Sequence, residues 1–222
     1  MNKDRSCHIG IVEDLLIKIN KHSKEIFETK IVIVKSTIPA GTTKKWNHNF
    51  DNLSVVFNSE FLTESNAVKD YENQNRILIG SPTYETLELN SVFSKVFPNA
   101  KIINSNSTDA EMVKYTTNSF LPMKVSFANE IYQICEKVNT DFDKFIGHII
   151  QEDSLGTSHW KVPGSNGYFG FRGHCFPKDI NALISFALDN NISPKMLKAT
   201  NEKNKKVRSN KDCETMKGRA LV

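Results

Sequence analysis

The chain has 222 residues, of which 39% are hydrophobic and 24% charged, with a formal net charge of +4. That length fits one or two domains around a sizeable core; with no long apolar run and no basic-then-apolar leader, it predicts neither a membrane span nor a secretory signal, and hence a cytoplasmic protein. The four cysteines, Cys7, Cys135, Cys175 and Cys213, form no CxxC pair, which argues against a zinc or other metal site and against a disulfide framework. Cations gather late in the chain, at Lys198, Lys203, Lys205, Lys206, Arg208, Lys211, Lys217 and Arg219. Without a nucleic-acid-binding signature beside them they read as a solvated helix face.

In chain order, "IVEDLLIKIN" (11–20) has helical apolar spacing. "KIVIVKS" (30–36), "LSVVFN" (53–58), "RILIGS" (76–81) and "AKIIN" (100–104) are short β-branched runs bounded by polar or turn residues. Strands separated by helices predict a parallel sheet in an α/β layer. After residue 105 the strand signals stop. Phe120, Met123, Phe127, Ile131, Ile134 and Val138 recur at three and four, one buried helical stripe over 109–138, or about 45 Å at 1.5 Å per residue. Pro122 inside it predicts a kink near Asn118, whose carbonyl loses its usual partner. Shorter helices are expected at 141–151, 177–190 and 193–207.

Gly164, Gly167, Gly170 and Gly173 mark a loop whose backbone can approach a ligand, or a flexible connector. Pro177 suits a first helical turn, so Cys175 falls near a helix N-terminus, with Lys178 beside it. Those surroundings favour a thiolate; the alternative is a small buried hydrophobe. Asp179 lies about one turn on and is placed to orient water or accept a proton. Lys114 and Asn118, four apart on the long helix, share a face and offer donors to an oxyanion, or are plain surface residues. Glu60 and Glu64 follow the strand 53–58, and Thr37 follows 30–36, at a sheet edge where ligands of open α/β folds collect.

Taken together, "KSTIPAGTT", "NSEFLTESNAVKDYENQNRILIG", "DAEMVKYTTNSF", "VSFANEI" and "GFRGHCFPKDINALI" resemble the UDP-glucose 6-dehydrogenase family, within the UDP-glucose/GDP-mannose dehydrogenases. The resemblance implies the remaining half of a Rossmann-like sheet (1–105), an all-helical central dimerisation domain (106–207) and the start of a UDP-binding domain (208–222). It implies a homodimer through helix 109–138, NAD as cofactor, and oxidation of a UDP-sugar primary alcohol to the carboxylate. Carried over, Cys175 would hold the aldehyde as a thiohemiacetal and then a thioester, and Lys114 and Asn118 would stabilise the oxyanion. Asp179, Glu64 and Thr37 would position water and move protons. Glu60, Phe61 and Leu62, with Tyr168, Gly170 and Gly173 of the glycine loop, would line the sugar pocket, and Thr37, Glu64 and Lys178 would face the cofactor.

The sequence departs from that family in three places. No GxGxxG occurs among the ten glycines. Arg172 replaces a usual glycine, and Ser154 a usual arginine. Two other readings stand beside an active dehydrogenase: a split-gene or inactive fragment that only folds or dimerises, and a thiol hydrolase, which needs a histidine base within reach of Cys175.

Overall fold

A computed structural model describes residues 6–62, 66–81, 87–165, 167–173 and 175–208. It divides into two compact units, His8–Tyr115 and one built mainly from the residues that follow.

The His8–Tyr115 unit alternates α1 (Gly10–Glu25), β1 (Lys30–Val34), α2 (Thr42–Asn49), β2 (Leu53–Phe57), α3 (Ala67–Glu72), β3 (Arg76–Gly80), α4 (Leu87–Val96) and β4 (Lys101–Ser105). The strands lie in the order β1-β2-β3-β4. β1 and β2 run parallel from Lys30↔Leu53 to Val34↔Phe57, and β3 and β4 from Arg76↔Lys101 to Gly80↔Ser105. The expected parallel sheet holds for both of these pairs, and the two pairs join at the centre. There β2 and β3 meet antiparallel at one residue pair, Phe57↔Gly80. Next to it Asn58 Nδ2 donates to the Leu78 carbonyl at 2.8 Å and ties the end of β2 to β3.

Both faces of the central strands are covered, which is why their sequences are nearly continuous apolar runs. Val55 and Phe57 enter a core with Leu16, Ile38 and Trp46. On the opposite face, Val56, Ile77 and Ile79 pack with Leu89, Phe93 and Phe97. Burying each such side chain contributes roughly 1.5–3 kcal/mol before conformational entropy is counted.

α5 (Ser107–Lys137) is continuous, with Pro122 inside it. Its residues from Thr116 on belong to the second unit, with α6 (Phe142–Ile149), a 3-10 turn at Asp153–Leu155, α7 (Cys175–Asp189) and α8 (Lys195–Val207). Asp141 caps α6 by accepting from the Lys144 N–H at 3.1 Å, the role a short acidic side chain fills at a helix start. Ala128, Cys135, Phe142, Ile146, Trp160 and Val162 form this unit's apolar core. The expected stripe on α5 is largely uncovered in the single chain: Phe120, Phe127, Ile134 and Val138 are 58%, 54%, 52% and 62% exposed. The face turned inward instead carries Asn118, Pro122, Ser126 and Asn129. Apolar periodicity identifies a face that wants cover; it does not say what covers it. Among the described residues, no helix is long and apolar enough to cross a membrane.

Candidate active site

In the first unit the segments after β1 and β2 come together. Lys35 Nζ lies 2.9 Å from Glu60 Oε1 and donates to Asn58 Oδ1 at 2.9 Å. Lys114, buried on α5, donates its ammonium to the Glu60 carbonyl and lies 4.9 Å from the Phe61 ring centroid. The Arg76 guanidinium is 4.5 Å from the same ring. Favourable cation–π contact of this kind fixes the ring and the loop that carries it. Thr37, Glu60, Phe61 and Leu62 are half-buried at this end of the sheet. Glu64 lies outside the described residues.

The turn after β1 is anchored by a residue the sequence reading did not single out. Glu111, fully buried on α5, accepts from the N–H groups of Gly41 (2.6 Å) and Thr43 (2.8 Å) and from Thr43 Oγ1 (2.5 Å). Gly41, at φ +87°, directs its N–H into this carboxylate. Burial pushes the Glu111 carboxyl above its ordinary value, against the opposing pull of the Thr43 and Gly41 donors.

In the second unit Cys175 is exposed, at the first residue of α7, and Pro177 is in the first turn. The buried-filler reading of this cysteine therefore fails; Cys135 is the buried one. First-turn N–H groups of a helix lack intrahelical acceptors, so a helix start favours the anionic form of a thiol placed there. Asp179, wholly buried, has a partner on each oxygen: Asn118 Nδ2 at 2.6 Å on Oδ2 and Lys178 Nζ at 2.5 Å on Oδ1. Asn118 is thus buried, and its amide carries a second N–H beyond the one given to Asp179. The surface-residue reading of Lys114 and Asn118 does not hold, because both are buried.

The loop leading to Cys175 has Gly167, Gly170 and Gly173 in the left-handed region, at φ +76°, +74° and +84°. Tyr168 and Arg172 are exposed, and Gly170 and Gly173 half-buried. Ser154, in the exposed 3-10 turn, donates to Glu152 Oε1 at 2.9 Å. Elsewhere in this unit Lys124 donates to the carbonyls of Leu155 (2.7 Å) and Gly156 (3.0 Å) and lies 4.8 Å from the Trp160 ring centroid. Burial holds the Lys124 ammonium below its ordinary value, and burial with that neighbouring charge lowers His159. Phe120, Met123, Phe127, Leu155, Trp160 and Met196 line an open apolar cavity of about 460 Å³ on the exposed side of α5. The described residues contain no cluster of three metal-ligating side chains.

Glu111, Asn129 and Asn204 escaped sequence reasoning because it weighted apolar residues. A second period runs along α5 through Glu111, Tyr115, Asn118, Pro122, Ser126 and Asn129, all buried and again at three and four. That register was the available signal.

Residues 1–100 match the model for the NAD binding domain of the UDP-glucose/GDP-mannose dehydrogenase family, and residues 108–206 match the model for its central domain. UDP-glucose 6-dehydrogenase TuaD of Bacillus subtilis is 35% identical over 189 residues, 81% of this chain and 39% of that protein. The UDP-glucose 6-dehydrogenase of Bos taurus is 32% identical over 198 residues, 83% of this chain and 38% of that protein. The structure of a UDP-glucose dehydrogenase from Pyrobaculum islandicum superposes with a TM-score of 0.81 at 28% identity, covering 92% of this chain and 48% of the other. The chain thus spans less than half the length of these relatives.

Proposed function

The chain belongs to the UDP-glucose/GDP-mannose dehydrogenase family, and from that premise we propose that it carries the thiol chemistry of an NAD-dependent, two-step oxidation. In this reading the primary alcohol of UDP-glucose, or of a related UDP-sugar, becomes a carboxylate in the cytoplasm. The observation that carries it is the exposed Cys175 at the start of α7, with the buried Asp179 carboxylate one turn further on, held by buried Asn118 and half-buried Lys178.

The residues fit NAD in part. The segments after β1 and β2, with Thr37 and Glu60, occupy the sheet end where ligands of such folds bind, but the glycine fingerprint for the pyrophosphate is not in this sequence. Two NAD molecules, bound in turn, would each accept one hydride from the sugar carbon, the first from the alcohol to give the aldehyde and the second from the cysteine adduct. The chain's own residues do the rest. Cys175 Sγ adds to the aldehyde carbon, and the resulting oxyanion is met by donors from Lys114 and the Asn118 amide. Loss of hydride from that thiohemiacetal leaves a thioester. Water positioned by Asp179, with Thr37 and Glu64, cleaves the C–S bond and returns the thiol and a carboxylate. Glu60, Phe61, Leu62, Tyr168, Gly170 and Gly173 line the sugar side, and Lys178 faces the cofactor.

The exposed stripe of α5 supports a homodimer with that face at the interface. A second reading is a fragment that only folds or dimerises, which the same exposed stripe would equally serve. NADH formation from UDP-glucose separates the two, measured for the chain alone and with an added strand–GxGxxG–helix polypeptide from a relative. Turnover that appears in either case and falls roughly 10⁴–10⁶-fold in Cys175→Ala supports the oxidation; no turnover under either condition favours the fragment. Ester cleavage without NAD would instead point to a thiol hydrolase.

A further inference from the structure

We propose that Asn129 and Asn204 are positioning residues that set the backbone of the loop delivering Cys175, an inference that rests on reading Cys175 as the nucleophile. Two helices present these amides. Ser126 Oγ on α5 donates to the Thr200 carbonyl on α8 at 3.1 Å, and about one turn along each helix stand Asn129 and Asn204.

Asn204 treats Phe171 as a strand neighbour would. Its Oδ1 accepts from the Phe171 N–H at 2.8 Å and its Nδ2 donates to the Phe171 carbonyl at 3.2 Å. Asn129 Oδ1 accepts from the Gly170 N–H at 3.1 Å, while its Nδ2 is held by the Val125 carbonyl of its own helix at 2.8 Å. Both asparagines are buried, at 2% and 8% exposure. Two consecutive loop amides therefore end on side-chain oxygens rather than water, and a buried amide that fails to pair is costly, so the loop is tied to one conformation.

Gly170 is required twice over. Its φ of +74° disfavours any side chain, and a Cβ there would strike Asn204 Oδ1. Phe171, buried and in edge contact with Phe176 at 6.4 Å, passes this constraint to both sides of Cys175. The approach of the loop to the α7 start, where the thiol sits, is thus fixed by amides from α5 and α8. An asparagine is the side chain that donates and accepts in one plane without bringing a charge into the interior.

The test is the pH dependence of Cys175 alkylation by iodoacetamide in the full chain, with Cys175 resolved from the other cysteines by peptide mapping. In Asn204→Ala and Asn129→Ala the midpoint is expected to move up by about one pH unit, a change of about tenfold in thiolate population. Asn204→Asp, which keeps an acceptor for the Phe171 N–H, is expected to fall between the wild type and Asn204→Ala. A role in stability alone would loosen the loop and raise the rate at every pH without moving the midpoint; that outcome in folded variants overturns the proposal. Should Asn204→Ala fail to fold, Asn129→Ala and Asn204→Asp decide by the same criterion. Hydrogen exchange at the Gly170 and Phe171 amides reads the clamp separately from the nucleophile. A wild-type midpoint equal to that of free cysteine removes the nucleophile reading, while protection of these amides that is lost in Asn204→Ala keeps the clamp, and unchanged exchange removes it.

Discussion

In the His8–Tyr115 unit most residues sealed from water are apolar, such as Val55, Val56, Phe57, Ile77 and Ile79, although Thr43, Asn58 and Glu111 are sealed with them. In the unit that follows, many sealed residues are polar: Asn118, Ser126, Asn129, Asp179, Thr200 and Asn204. Meanwhile Phe120, Phe127, Ile134 and Val138 face out. The first arrangement is held by burial, which tolerates exchange between apolar side chains of like volume. The second is held by hydrogen bonds whose loss leaves a buried polar atom unpaired, so each partner is specified. The helical unit combines an apolar core with these buried polar pairs and leaves the Phe120–Val138 stripe exposed.

The contrast can be broken experimentally, since the two tryptophans report separately: Trp46 lies in the first unit's core and Trp160 in the second's. The largest effect is expected for Asn118→Leu. It removes one of two partners from the buried Asp179 carboxylate, costing about 3 kcal/mol in urea unfolding followed at Trp160. A cost below about 1 kcal/mol, a single ordinary hydrogen bond, would mean that polar pairing does not hold this unit.

Next is Gly80→Ala in the first unit, where a Cβ would lie 2.6 Å from Ala110 Cβ. Overpacking there should cost about 2 kcal/mol at Trp46, and a neutral result would show that α5 yields at this point.

Glu111→Gln puts an amide in place of the carboxyl that faces three donors and should cost about 1 kcal/mol, with a characteristic pH dependence. Because burial holds the folded carboxyl above its ordinary value of 4.5, its contribution is fully present below that value and is lost as pH rises through the folded one. The stability gap between wild type and variant should therefore be widest in acid and narrow upward. A gap that widens with pH would reverse the assignment.

Smallest for the isolated chain is Ile134→Asp on the exposed stripe, expected to change stability by no more than about 0.5 kcal/mol. Light scattering should nevertheless show a lower molar mass than the wild type. A wild type that is monomeric throughout would leave the proposed dimer without its interface.

Strand positions were legible because β2 and β3 are covered on both faces, so Leu53–Phe57 and Arg76–Gly80 read as unbroken β-branched and aromatic runs. The single antiparallel contact at Phe57↔Gly80 and the Asn58–Leu78 hydrogen bond beside it were not, since neither leaves an apolar pattern in the sequence. At the candidate site, the helix start at Cys175 followed from Pro177, Lys178 and the glycines before it. The pairing of Asp179 with Asn118 and the loop contacts of Asn129 and Asn204 could not be read from spacing, because those partners lie 33 to 61 residues apart.

By itself the amino-acid order determined the alternation of strands and helices, the long helix of α5 and the placing of a thiol at a helix start. These are local consequences of side-chain periodicity and of where proline and glycine permit the backbone to turn. Only the tertiary structure decided which face of α5 is sealed and which carbonyl, carboxylate or amide each buried donor meets. Hydrophobicity is a property a residue carries alone, whereas a hydrogen bond exists only once its distant partner has been brought to it.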